Sequence, residues 1–382
     1  MIALTGGKIL TMCSKSLEYG TVMVRNGEIW EIGKNIDIPN GCRIIDVTGK
    51  IITPGLIDAH THLCIESEGM GWAGSDVNER SEPVTPGIHA LDAINPADLG
   101  LLEAYQGGIT TVMVAPGSAN PIGGQCVLLK TAPKPTVEEM LLKRYAGLKI
   151  AFGENPKHVY GADQKKMPVS RMAIAALIRE AFWKARHYLA SQREKDWKYD
   201  IGMEAIAKVL RREMPLRAHA HRADDIVTAV RIAQEFDVDI IIEHGTEAYL
   251  VAELLSAEKI PVVLGPSLST RSKVELKDKT MESPVLLYRQ GVSFAMMSDH
   301  PVTPSCFLPV YAGLATRYGL PAQQALKMIT CDAAQILGID DRIGSLAPGM
   351  DADLVVWSED PLSVSAYPVI VMVDGQIEFI RN

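Results

Sequence analysis

Eight short apolar runs, alternating with helical or polar stretches, set the narrowest limit on how this chain can fold. They cover residues 51–57, 109–114, 125–130, 148–152, 216–219, 240–244, 260–265 and 292–299. Helical patterns fill residues 97–106, 171–192 and 223–236, and Ser170 is placed to cap the second of these. Strands that alternate with helices imply a parallel sheet. Eight such strands predict a (β/α)8 barrel, whose active site lies at the carboxyl ends of its strands.

Residues suited to metal chemistry sit at those ends. The first run closes on Pro54-Gly55-Leu56-Ile57-Asp58-Ala59-His60-Thr61-His62. Side chains two apart on a strand share a face, so His60 and His62 can meet one ion. With 9 His in 382 residues, chance alone gives roughly 0.2 His-x-His pairs, so the pair needs its context. That context is Glu154, His219, His244 and Asp299, each at the end of a later run. A core histidine has no reason to prefer strand ends. The pattern therefore points to a metal hydrolase.

Composition removes other classes. The formal charge is −8, with no basic stripe to offer phosphates, which argues against a nucleic-acid partner. No apolar run approaches a membrane span, and residues 1–8 lead straight into strand-like sequence without a leader pattern. The six cysteines form no Cys-x-x-Cys pair, which fits a reducing cytoplasm rather than a disulfide scaffold. The expected partner is a small-molecule substrate; a homo-oligomer is compatible with the composition.

The two ends look alike. Residues 22–32 alternate around Asn26-Gly27, and residues 369–379 around Asp374-Gly375. Both dipeptides favour two-residue hairpin turns. Neither end holds enough strands alone, so together they predict a small β-sandwich from residues 1–53 and 347–382, with a barrel domain of residues 54–346 inserted. Residues 63–96 form a long polar stretch after the first strand, suited to a lid or substrate loop.

The combination resembles the amidohydrolase superfamily. The matching pieces are residues 54–62, Ala218-His219-Ala220-His221, Ile242-Glu243-His244-Gly245, Ser298-Asp299 and the closing Ala347-Pro348-Gly349-Met350-Asp351-Ala352-Asp353-Leu354. The likeness leans towards imidazolonepropionase and prolidase-like amide hydrolases. It implies a distorted barrel with one or two divalent metals, zinc foremost, with iron, manganese or cobalt as alternatives. His60 and His62 would hold one metal. His219 and His244 would hold a second, or one of them would complete a single site. Asp299 would bind metal and shuttle the proton.

A metal pair needs an anionic bridge, and the family uses a carboxylated lysine or a glutamate. Glu154 is preferred, because Lys149 lies early in the same run, about 15 Å lower at ~3.3 Å per residue. His221, Gln125, His158 and His300 are assigned to substrate contact. The reaction implied is hydrolysis of an amide or cyclic-amide C–N bond. The alternatives are a one-metal deaminase of a nucleobase-like ring, in which Glu154 touches no metal, and a catalytically silent scaffold.

Overall fold

The computed structural model describes residues 1–381. Its strands are β1 (Ile2–Ile9), β2 (Leu17–Arg25), β3 (Glu28–Gly33), β4 (Arg43–Asp46), β5 (Ile51–Pro54), β6 (Leu56–Thr61), β7 (Ile109–Val114), β8 (Ile122–Lys130), β9 (Leu141–Ala151), β10 (Leu216–Ala220), β11 (Ile240–His244), β12 (Val262–Leu264), β13 (Phe294–Met296), β14 (Leu354–Trp357), β15 (Pro368–Val373) and β16 (Gln376–Ile380).

β6 to β13 form one eight-stranded sheet in chain order. It curls until its outer strands nearly meet. Asp299 N donates to His60 O at 3.2 Å, and His62 N donates to His300 O at 2.9 Å. The result is a nearly closed barrel of the expected α/β kind. Its helices include Leu99–Gln106, Arg171–Ser191 and Ala223–Phe236. Ser170 caps the second, its Oγ accepting from Ala173 N at 3.2 Å.

One expectation fails. The sheet is not wholly parallel, because β8 runs antiparallel to both β7 and β9. The reason is connection length. A parallel return needs a crossover of about a dozen residues, usually a helix. Only residues 115–121 join β7 to β8, and β8 reaches β9 through one short helical turn, Val137–Met140. β8 therefore presents its amino end, not its carboxyl end, at the rim where β7 and β9 finish.

The barrel interior is layered by the two-residue alternation of its strands. Met113, Leu128, Ile241, Val263 and Met297 make an apolar floor, joined by Ala333, Leu337 and Ile343 from the chain after β13. Above it stand Lys149, Arg217 and Glu243, each fully buried. The histidines come next. The opposite strand faces, including Leu148, Ile150, Leu216, Ala218, Ile240 and Ile242, belong to the larger apolar layer that also holds helix residues such as Ile226 and Val230.

The chain ends pair in a second, mixed sheet of order β16-β15-β14-β5-β1-β2-β3, with β4 beside β1. Both hairpins form at the expected turns. Arg25 pairs Glu28 across Asn26 and Gly27, and Val373 pairs Gln376 across Asp374 and Gly375. All four turn residues have positive φ, which type I′ geometry requires. The strands hydrogen-bond as this single sheet. Among the described residues, no helix is long and apolar enough to cross a membrane.

Candidate metal centre

Two groups of potential ligands converge at the carboxyl rim. His60, His62 and Asp299 form one, and His219, His221 and His244 the other, with ligand atoms within 4.8 Å of one another in each. Alternation along β6 brings His60 and His62 to one face. Alternation along β10 aligns Arg217, His219 and His221. His244 and Asp299 lie where their strands run out, with φ of +70° and +57°. Such left-handed backbone is uncommon outside glycine and clusters at functional sites. The groups adjoin: the His60 and His244 rings are 5.3 Å apart, and His219 and His244 4.3 Å.

Hydrogen bonds fix how these rings face. His62 Nδ1 donates to Ala115 O at 2.7 Å, and His244 Nδ1 to Gly265 O at 3.1 Å. A carbonyl can only accept, so both rings carry their proton on Nδ1 and leave the Nε2 lone pair for the site. His60 Nδ1 contacts Glu243 Oε2 at 2.8 Å. Glu243 Oε1 lies 2.5 Å from Arg217 Nε, and Arg217 also donates to Ala59 O at 2.9 Å. Backing of imidazoles by carbonyls and carboxylates is the usual support of metal-ligating histidines.

Burial keeps His60, His219, His221 and His244 neutral. It holds His60, His219 and His244 well below the usual imidazole range, and neighbouring cationic groups add to the effect. His221 falls to about 3 for the same first reason. Burial lifts the Glu243 carboxyl to about 7, although Arg217 and Lys149 oppose it. Neutral imidazoles with inward lone pairs, beside an acid whose Oδ1 has no hydrogen-bond partner, are a donor set that suits zinc and related divalent ions. The residues therefore fit the metal that the resemblance implies.

Asp299 Oδ1 lies 3.4 Å from His62 Nε2 and 3.6 Å from His60 Nε2. Both groups open into a cavity of about 340 Å³ whose wall includes Asn78, Ser118, Asn155, Ser269, Lys273 and Val302. Val77 and Asn78 come from the long stretch after β6, which thus contributes to the wall.

Several residues stand elsewhere than the sequence suggested. Glu154 is not brought to either group. It begins a short helix beyond β9, where strand alternation no longer applies, and its Oε2 accepts from Glu275 N at 3.4 Å. Lys149 comes closer, its Nζ 3.3 Å from His60 Nε2. The expected depth was counted to Glu154, but the rim is set at Ala151, which is in register with His219. Two residues of strand, about 6.6 Å, are within reach of a lysine stem. Burial pulls its ammonium below the usual lysine range, against the pull of Glu243.

His221 joins the ligand group rather than standing apart from it. Gln125 is buried in the middle of β8, in register with Leu148, and does not line the cavity. β8 begins three residues earlier than the apolar run suggested, at Ile122, which moves Gln125 from a strand end to the strand's interior. His158 is an exposed helix residue whose nearest acid is Asp163, at 3.5 Å. His300 is buried with Nε2 3.3 Å from Glu68 Oε1, and its Nδ1 accepts from Ser305 N at 3.4 Å.

Sequence reasoning passed over Arg217, Glu243 and Glu275. A charge at an inward position of an apolar strand was readable for the first two. Glu275 lies in a loop with no pattern to mark it.

Known proteins with similar chains agree with this picture. A crystal structure of an amidohydrolase from Thermotoga maritima MSB8 superposes with a TM-score of 0.96, at 46% identity over 100% of both chains. The amidohydrolase tasK of Hapsidospora irregularis is 31% identical over 94% of this chain, which spans 40% of that protein's length. Imidazolonepropionase of Vibrio cholerae is 25% identical, over 95% of this chain and 94% of its own. The amidohydrolase family profile matches residues 51–377, and the chain belongs to that family.

Proposed function

We propose that this chain hydrolyses the C–N bond of a linear or cyclic amide, using two divalent metal ions held at its barrel rim. Family and relatives support the coarser statement, a metal-dependent hydrolase acting on carbon–nitrogen bonds. The observation that carries the finer one is the adjacency of two ligand groups in one cavity. A single-metal deaminase needs only one of them.

In this reading His60, His62 and Asp299 hold one ion, and His219, His221 and His244 the other. Bound there, a divalent cation supplies Lewis acidity, which lowers the pKa of water and polarises a carbonyl. The chain's own groups do the rest. Glu243 and the Ala115 and Gly265 carbonyls hold the rings in one tautomer. The Asp299 carboxylate takes the proton from the attacking water and passes it to the leaving amine. In this reading Lys149, carboxylated on its amine, would be the anionic bridge rather than Glu154, which its Nζ distance of 3.3 Å from His60 Nε2 supports. Asn78, Ser118, Asn155 and Lys273 offer polar contacts for the remainder of the substrate.

The division into a barrel of residues 54–346 and a unit built from residues 1–53 and 347–382 belongs to the same proposal, supported by the shared sheet of the two ends. The test is elemental analysis of protein purified without added metal, followed by a panel of N-acyl amino acids, dipeptides and cyclic amides. Two equivalents of metal and turnover of a panel member are expected. One equivalent, with ammonia released from an aminated ring, would replace this reading with the deaminase.

A further inference from the structure

Glu275 is a buried acid that the mechanism above does not use. It lies in the short 3-10 turn Val274–Leu276 after β12, only 2% exposed. Its Oε1 sits 3.6 Å from His221 Nε2, 3.9 Å from His219 Nε2 and 2.6 Å from Lys273 Nζ. Asn155 explains the orientation at His219. Its amide oxygen accepts from Lys273 Nζ at 3.2 Å, so its Nδ2 faces His219 Nε2, at 3.5 Å. That Nε2 therefore carries a lone pair, on the ring edge that faces both Asn155 and Glu275. Carboxylate and imidazole edges converge here around the Lys273 ammonium, an arrangement suited to a cation.

The backbone is arranged to seat this carboxylate. Glu154 N donates to Glu275 Oε2 at 3.0 Å. Gly153, at φ +82°, leaves room for it: a Cβ there would lie 2.7 Å from Oε2. One oxygen is thus pinned and the other left facing the imidazoles. Zinc bonds of about 2.1 Å place tetrahedral ligand atoms roughly 3.4 Å apart. The distances of 3.6 and 3.9 Å need a small contraction to match, while His244, which groups with His219 and His221 but not with Glu275 within 4.8 Å, needs a larger shift of the carboxylate.

We propose that Glu275 is the fourth ligand of the second metal, completing a three-imidazole, one-carboxylate site with His219, His221 and His244. Lys273 Nζ, 2.6 Å from the same oxygen, has a partly exposed side chain that can release it and keep its bond to Asn155. The loop after β12, which lines the cavity, is then tied to the metal. This inference rests on the two-metal reading above.

The experiment measures retained zinc after the loaded enzyme is dialysed against a zinc-buffered solution. The wild type is expected to keep two equivalents. Glu275→Gln keeps one, with affinity for the second lowered on the order of 100-fold or more. Glu275→Asp, which keeps the charge but draws the oxygen back by one methylene, gives an intermediate loss and a changed cobalt absorption spectrum. Lys273→Met, which removes the ion pair and leaves the carboxylate, keeps two. Glu275→Gln protein that holds two equivalents with unchanged affinity would overturn the proposal. So would Lys273→Met losing the second metal equally, since loop packing rather than ligation would then be at work. A wild type that binds no metal would sink the hydrolase reading itself; a wild type and a Glu275→Gln variant that both keep two would sink only this one.

Discussion

Replacing Arg217 by methionine should turn the charged layer of the barrel into a pH-dependent weakness. Arg217 and Glu243 are both fully buried, with Nε 2.5 Å from Oε1. Even with that partner, burial lifts the Glu243 carboxyl from 4.5 to about 7. At about 1.4 kcal/mol per pKa unit, ionising it in the fold costs roughly 3 kcal/mol. A folded pKa above the unfolded one contributes stability below about 4.5, and that contribution is lost as pH rises through about 7.

Without Arg217 the folded pKa climbs further, so the loss continues at higher pH. Removing one partner of a buried pair costs about 3–5 kcal/mol. The deficit of Arg217→Met should therefore be small near pH ~5.5, where Glu243 can stay protonated, and approach that full range near pH ~8.5. Urea unfolding of metal-free protein at the two pH values measures it. Arg217→Met/Glu243→Gln should recover most of the alkaline loss. A deficit below about 1 kcal/mol, or one equal at both pH values, would refute the argument.

Three further outcomes are expected. Asp299→Asn should keep most of its metal but lose about 10²- to 10⁴-fold in kcat on whichever panel amide is turned over, and near-normal turnover would rule out the proton shuttle. Lys130→Met should destabilise by about 3–5 kcal/mol in thermal or urea unfolding, because it strands Asp353 and leaves Asp351 and Asp374 without their shared cation. Burial lowers the Lys130 pKa, but these aspartates outweigh it and the net shift is upward. Its contribution in the wild type is therefore whole below 10.5 and fades as pH rises through the higher folded value. Gly55→Ala would place a Cβ 2.0 Å from Thr110 Oγ1, and a loss of about 1–3 kcal/mol by urea titration, relieved in Gly55→Ala/Thr110→Ala, checks that contact.

Local pattern was enough for the parts of the fold that local chemistry controls. Continuous apolar runs located the barrel strands, because both faces of each are buried. Asn26-Gly27 and Asp374-Gly375 specified their hairpins, because only such residues accept positive φ at both turn positions. Histidines at strand ends marked the rim for the same reason. His60 and His62 share a face by the geometry of a strand, with no tertiary information needed.

Tertiary structure decided what depends on partners distant in the chain. The reversal of β8 follows from connection length and pairing, and the start of that strand at Ile122 set Gln125 inside the sheet, in register with Leu148. The height of the rim was set by the register of Ala151 against His219, and it brought Lys149 within reach of His60 while Glu154 passed beyond the strand. His244 and His221 met only because β10 and β11 are neighbours, and Glu275 reached His219 and His221 from a loop whose sequence carries no period. Alternation reports which face a side chain takes; which other side chain it meets there is settled by strand register and loop closure, and these exist only once the chain has folded.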